Sequence, residues 1–280
     1  VSGAAGAASN TITLNGTTLS AKGVSEGGCV YGGITLIRSS EGSVSGSMLT
    51  VNTATLKATG GTAIDFVSSA SGAVSNTITL NETNLSAEGV SEDGNVYGGI
   101  SLVSSADGSV SGSTLEINTA TLQVTDGASV HFINGANGVG KYTIGLSGSD
   151  ISAKGVQAYG SIYGGVITLI SSSEGSVSDS TLEVNTDSNG KRTTMTASDG
   201  ASIHFINGAN GVEKYTIGLD GADISAAGAQ AGGSVYGDIT LVESSHGIVS
   251  GSGSKITLSG DGSGNRTSLS ATDGASISFV

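Results

Sequence analysis

A phrase of eight or nine letters recurs four times along the chain: "CVYGGITL" from Cys29, "NVYGGISL" from Asn95, "SIYGGVITL" from Ser161 and "SVYGDITL" from Ser234. Its tyrosines, Tyr31, Tyr97, Tyr163 and Tyr236, are spaced by 66, 66 and 73 residues. A fixed period of this length restricts the fold to an array in which one structural unit stacks on the next. The repeat divides the chain into units 1–66, 67–132, 133–205 and 206–279 of one continuous segment. The first two units align without a gap, as in "SNTITLNGTTLSAKGVSEGGCVYGG" against "SNTITLNETNLSAEGVSEDGNVYGG". Val280 then matches Val67, Ile133 and Ile206 as the first residue of a further unit, which suggests an excerpt from a longer array.

Each unit divides again. A pair of apolar residues occurs eight times, as Ile12/Leu14, Leu49/Val51, Ile78/Leu80, Leu115/Ile117, Ile144/Leu146, Leu182/Val184, Ile217/Leu219 and Ile256/Leu258. A second position follows at Leu19, Leu56, Leu85, Leu122, Ile151, Met195, Ile224 and Leu269, and a third at Val30, Ile64, Val96, Val130, Ile162, Ile203, Val235 and Ile277. Apolar and polar residues alternate through these stretches, the mark of strands with one buried and one wet face. Glycine, asparagine, aspartate and serine fill the gaps, where sharp corners need positive φ or side-chain caps. Like residues recur at like positions, as expected when strands stack in register on their own kind. No stripe of 3.6-residue period persists, so helix is disfavoured. The predicted fold is all-β, a single-stranded parallel β-helix with three strands per coil. Its eight coils would rise roughly 38 Å at about 4.8 Å per strand.

Two ladders follow from that register. Asn15, Asn52, Asn81, Asn118 and Asn185 fall after the first strand and should hydrogen-bond along the stacking axis. Beside the third apolar position run Tyr31, Asp65, Tyr97, His131, Tyr163, His204, Tyr236 and Ser278, expected to form one outward wall. Its tyrosines and histidines are the candidate binding residues, since exposed aromatic rings stack on sugar faces.

The phrases "GNVYGG" and "GSVSGSTLEI", set in Gly-, Ser-, Thr- and Asn-rich coils with one cysteine and no proline, resemble passenger regions of bacterial autotransporters and related surface adhesins. The resemblance spans all four units. It implies a right-handed β-helix exported to a bacterial cell surface and used in adhesion or as a spacer.

Charge narrows the partners. Ten basic against 23 acidic residues give a net charge of −13, which disfavours nucleic acid and anionic membranes because both need clustered Lys and Arg. No apolar run approaches the 18 or so residues of a membrane-spanning helix. Cys29 alone can form no intrachain disulfide.

Evidence for catalysis is thin. "GSVSG" at 42–46 and 108–112 reads as a turn repeated by architecture and not as a nucleophile elbow. His131 and His204 stand two coils apart, roughly 10 Å, too far to share a zinc ion, and His246 replaces acidic residues of a surface turn. Asp65, Glu116, Glu183, Asp150, Asp220 and Asp223 are the candidate acids for a carbohydrate-active enzyme, but several are mere repeat equivalents. Departures from the repeat are more informative: the enlarged loops 186–192 and 259–266, and Tyr159 beside Tyr163. The expectation is a non-enzymatic extracellular shaft with no cofactor and no metal, in weak contact with glycans or with a host or neighbouring cell surface. The alternatives are a filament subunit that associates end to end and, behind it, a carbohydrate-active β-helix enzyme.

Overall fold

The computed structural model describes residues 1–26, 29–92, 95–158, 161–163 and 165–280. The chain is all-β, and among the described residues there is no helix. Three parallel sheets dominate, and the chain visits them in the same order on every circuit. The first sheet carries strands such as Thr11–Asn15, Met48–Asn52 and Thr77–Asn81, the second Thr18–Lys22, Thr55–Thr59 and Asn84–Glu88, and the third Gly33–Ser39, Ala63–Ser69 and Gly99–Ser105. Except at the two ends of each sheet, each strand pairs with its counterparts one circuit earlier and one circuit later, as the like-on-like pattern requires.

Register on the first two sheets follows the sequence period. Ile78 lies opposite Leu49 and Leu115, and Leu115 opposite Ile144; all four are fully buried. On the second sheet Leu19, Leu56, Leu85, Leu122, Ile151, Met195, Ile224 and Leu269 form one continuous inward column. Burying a large aliphatic side chain contributes about 1.5–3 kcal/mol, so these columns alone define which face turns inward.

The third apolar column differs from expectation. In register with Ile64, Val130, Ile203 and Ile277 stand Ile34, Ile100, Ile167 and Ile239, not Val30, Val96, Ile162 and Val235. The latter four lie in two-stranded antiparallel hairpins that leave the main sheets at the corner between second and third sheet. The hairpins are Val24–Glu26 with Cys29–Tyr31, Val90–Glu92 with Asn95–Tyr97, Val156–Ala158 with Ser161–Tyr163, and Ala229–Ala231 with Ser234–Tyr236. Every second circuit carries one. The others turn the corner through a short segment such as Asp126-Gly127-Ala128, and this alternation explains why long and short circuits alternate along the chain.

Within the third sheet the in–out alternation breaks once per strand, where two consecutive residues turn inward. Phe66 and Val67, Phe132 and Ile133, and Phe205 and Ile206 are all fully buried. The first of each pair alternates between phenylalanine in short circuits and leucine in long ones (Leu36, Leu102, Leu169, Leu241), so large and smaller side chains interleave down the core. The "GSVSG" stretches are more than turns. Val44 and Val110 belong to short strands of the first sheet and join an inward column with Ala7, Ala73, Val139, Val177 and Val212.

The asparagine ladder is present on the first four circuits. Asn52 Nδ2 donates to Asn15 Oδ1 at 2.8 Å, Asn81 Nδ2 to Asn52 Oδ1 at 2.8 Å and Asn118 Nδ2 to Asn81 Oδ1 at 3.0 Å. Asn185 keeps the register, but Ser147 on one side and Asp220 on the other interrupt the amide chain. The left-handed corner falls one residue after the ladder, at Gly16, Thr53, Glu82 and Thr119.

Candidate functional site

The hairpins break up the outward wall expected from the sequence. On the third sheet the outward column runs Thr35, Asp65, Ser101, His131, Thr168, His204, Thr240 and Ser278. Asp65, His131, His204 and Ser278 are therefore wall residues, whereas Tyr97 and Tyr236 stand on hairpin strands opposite Val90 and Ala229. The expectation of one tyrosine–histidine wall is corrected on this point. The cause is an insertion whose "VY" end mimics the "VH" and "ID" of the true wall. The side chains of Cys29, Tyr31 and Tyr163, and all of Tyr159, lie outside the described residues.

The hairpins pack on the corners of the neighbouring short circuits. Gly61 has a φ of +79°, and a Cβ there would sit 2.3 Å from Val90 Cγ1 and 3.2 Å from Val30 Cγ2. Two successive hairpins thus close on one glycine. Gly200 plays the same part between Ile162 and Ala229. Both are positions where positive φ and close approach exclude other residues.

Between hairpin and wall the surface opens into clefts. One, of about 440 Å³, lies at the 90–97 hairpin and is lined by Asp65, Val96, Gly98, Ser101, Ser129 and His131 among others. A second, of about 420 Å³, lies at the 229–236 hairpin, with Ser202, Val235, Tyr236, Asp238 and Ser276 in its lining. The two occupy equivalent places, four circuits apart, yet their polar residues are disposed differently.

Beside the second cleft, whose lining includes Asp238, the charges satisfy one another. His204 Nε2 is 3.4 Å from Asp238 Oδ1, and His204 Nδ1 is 3.8 Å from Glu243 Oε2. Burial alone would lower the His204 pKa, but the hydrogen bond and charge of Asp238, with the charge of Glu243, raise it above its ordinary value. Asp238 is held well below the usual carboxylate range. Burial works against this, and hydrogen bonds from His204, Ser202 and Thr240 overcome it. Thr240 Oγ1 donates to Asp238 Oδ2 at 2.6 Å.

At the first cleft they do not. Burial pushes the His131 pKa down, and its Nδ1 is buried without a hydrogen-bond partner. Burial raises the Asp65 carboxyl above its ordinary value, partly offset by the charge of Arg38 and a hydrogen bond from Thr35. Ser101 stands between the two in register and keeps them apart.

The remaining candidate acids do not converge. Glu116 and Glu183 face outward from the first sheet on either side of Gly145. Asp150 pairs with Lys191 at 2.9 Å and Asp223 with Arg192 at 2.7 Å on the second sheet. Asp220 accepts from Ser259 Oγ at 3.3 Å. The enlarged loop 186–192 serves stacking: Arg192 Nε donates to the Gly221 carbonyl at 2.6 Å and Nη2 to the Arg266 carbonyl at 2.6 Å, tying three circuits together. His246 is exposed on its turn.

Sequence reasoning missed Ser101, Asp238 and Glu243, because the hairpins went unrecognised. Their signal was present in the sequence: Gly-Gly at 27–28 and 232–233 and Asp-Gly at 93–94 are dipeptides that favour two-residue hairpin turns, set between short alternating stretches. Gly232 and Gly233 carry φ values of +56° and +83°, as such a turn demands. Comparison with protein-family models, with curated proteins and with solved structures found no match to this chain.

Proposed function

We propose that the three sheets close into a right-handed parallel β-helix, and that this helix is the structural and adhesive shaft of a bacterial surface or secreted protein. The observation that carries the reading is the unbroken in-register pairing of all three sheets through successive circuits. Such stacking makes a stiff rod whose cross-section changes little along its length, which suits a spacer more than a catalyst. Right-handedness follows from the strong preference of parallel strand connections for that hand. A net charge of −13 suits a long, sheet-rich surface that must stay in solution. Hairpins repeated along one corner supply the variable surface on which glycans or a host or neighbouring cell would be met.

Beads coated with the 280-residue chain should adhere to epithelial or bacterial cells several-fold above albumin-coated beads. Adhesion no greater than albumin would remove the adhesive half of the reading.

End-to-end self-association is a second reading, favoured by one observation. Leu258, Ile277 and Phe279 on the last circuit are exposed, beside strands that are paired on one edge only. A second copy stacked there would cover these residues and pair the free edge. Sedimentation that stays monomeric up to high concentration would remove the second copy.

A further inference from the structure

Two clefts of nearly equal size and equivalent place in the fold lie beside different wall residues: Asp65, Ser101 and His131 at the first correspond in register to His204, Thr240 and Ser278 at the second. His204, at the register position of Asp65, is paired with Asp238 and Glu243, whereas His131, at the position of Ser278, has its Nδ1 buried without a hydrogen-bond partner. Repetition alone would produce the same arrangement twice. The cleft at the 90–97 hairpin is the one of the two whose wall histidine is left with a buried nitrogen unpartnered.

We infer that this cleft is a carbohydrate subsite that takes a neutral sugar unit between Asp65, Ser101 and His131, with Val96 against the ring face. The inference rests on the adhesive reading above and gives it a location. Four features select the ligand class. The cleft, of about 440 Å³, accommodates one or two sugar rings and is too small for a folded partner. Asp65 and His131 stand two strand spacings apart, roughly 10 Å between backbone positions, with the Ser101 hydroxyl midway. A row of hydroxyls can donate to the carboxylate and to the imidazole from the same molecule, which a simple anion or cation cannot do. The carboxylate of Asp65 repels anions, and a neutral imidazole offers no charge to attract them. Gly98 and Gly99 bring bare backbone to the cleft edge, where a Cβ on Gly99 would meet the Ser129 carbonyl oxygen at 2.5 Å. With Nδ1 sealed in the wall, Nε2 is the His131 nitrogen left to meet a ligand.

The test is an array of neutral oligosaccharides probed with the whole chain and with the variants Asp65→Asn, His131→Ala and Asp238→Asn, each first shown to keep the wild-type circular dichroism spectrum. Wild type and Asp238→Asn should give the same signal, and the two cleft variants should lose tenfold or more. A nitrogen-15 titration with lactose and with maltose gives a second readout, in which the His131 imidazole should shift with at least one sugar while His246 stays fixed. If wild type and both cleft variants bind alike, the cleft assignment falls while the adhesive reading, tested separately by the coated beads, stands. No wild-type signal on the array and no His131 shift would overturn the assignment as well.

Discussion

Asn81 donates to Asn52 and accepts from Asn118, so its amide uses both of its polar ends along the stacking direction. Replacing it with alanine removes two hydrogen bonds and leaves a gap of two layers between Asn52 and Asn118. Asn81→Ala should lower stability by about 1–2 kcal/mol in urea unfolding. The His204–Asp238 pair makes a different prediction, because it depends on pH. The His204 pKa is raised, so its contribution is complete below its ordinary 6.5 and fades as pH rises through the raised value. Asp238 is depressed, so its contribution is complete above the ordinary 3.8 and fades as pH falls through the lowered value. The pair thus stabilises most in mildly acidic solution. Asp238→Asn should cost more in melting temperature at pH 5.5 than at pH 8.5; an equal loss at both would show that the ion pair is not what the carboxylate supplies.

At the scale of elements, the hairpin is separable from the strands it joins. The third and fourth circuits share all three sheet strands and differ chiefly at the corner, where ten residues (89–98) stand in place of the three residues Asp126, Gly127 and Ala128. Exchanging residues 89–98 for Asp-Gly-Ala should leave the circular dichroism spectrum in place and shift the melting temperature by only a few degrees. Collapse of the fold would mean that the hairpin holds the corner together. This element also marks the limit of what the sequence made legible. The first two apolar columns were readable because inward positions repeat like for like and burial tolerates little else; the amide ladder was readable because asparagine recurs at one outward position of the first sheet. The third column was misread in half of its members, since Val96 and Val235 alternate with polar neighbours just as Val130 and Ile203 do. Period-two alternation marks a strand without saying to which sheet it belongs. Asp238 and Glu243 were out of reach for a related reason: their closeness to His204 comes from stacking between circuits, not from spacing within one.

Taken as a whole, the molecule is built twice over, from a layer that repeats strictly on its inner faces and a corner that does not. The strict part sets the register in which the layers stack. The loose part carries the four hairpins and borders both clefts. Each hairpin branches off between second and third sheet, at a corner bordered by glycine, and contributes no strand to any of the three parallel sheets. That corner is thus a natural grafting point, where foreign peptide could be spliced without the interior having to be repacked, and a stack of such layers could present unlike cargo at regular intervals along one side.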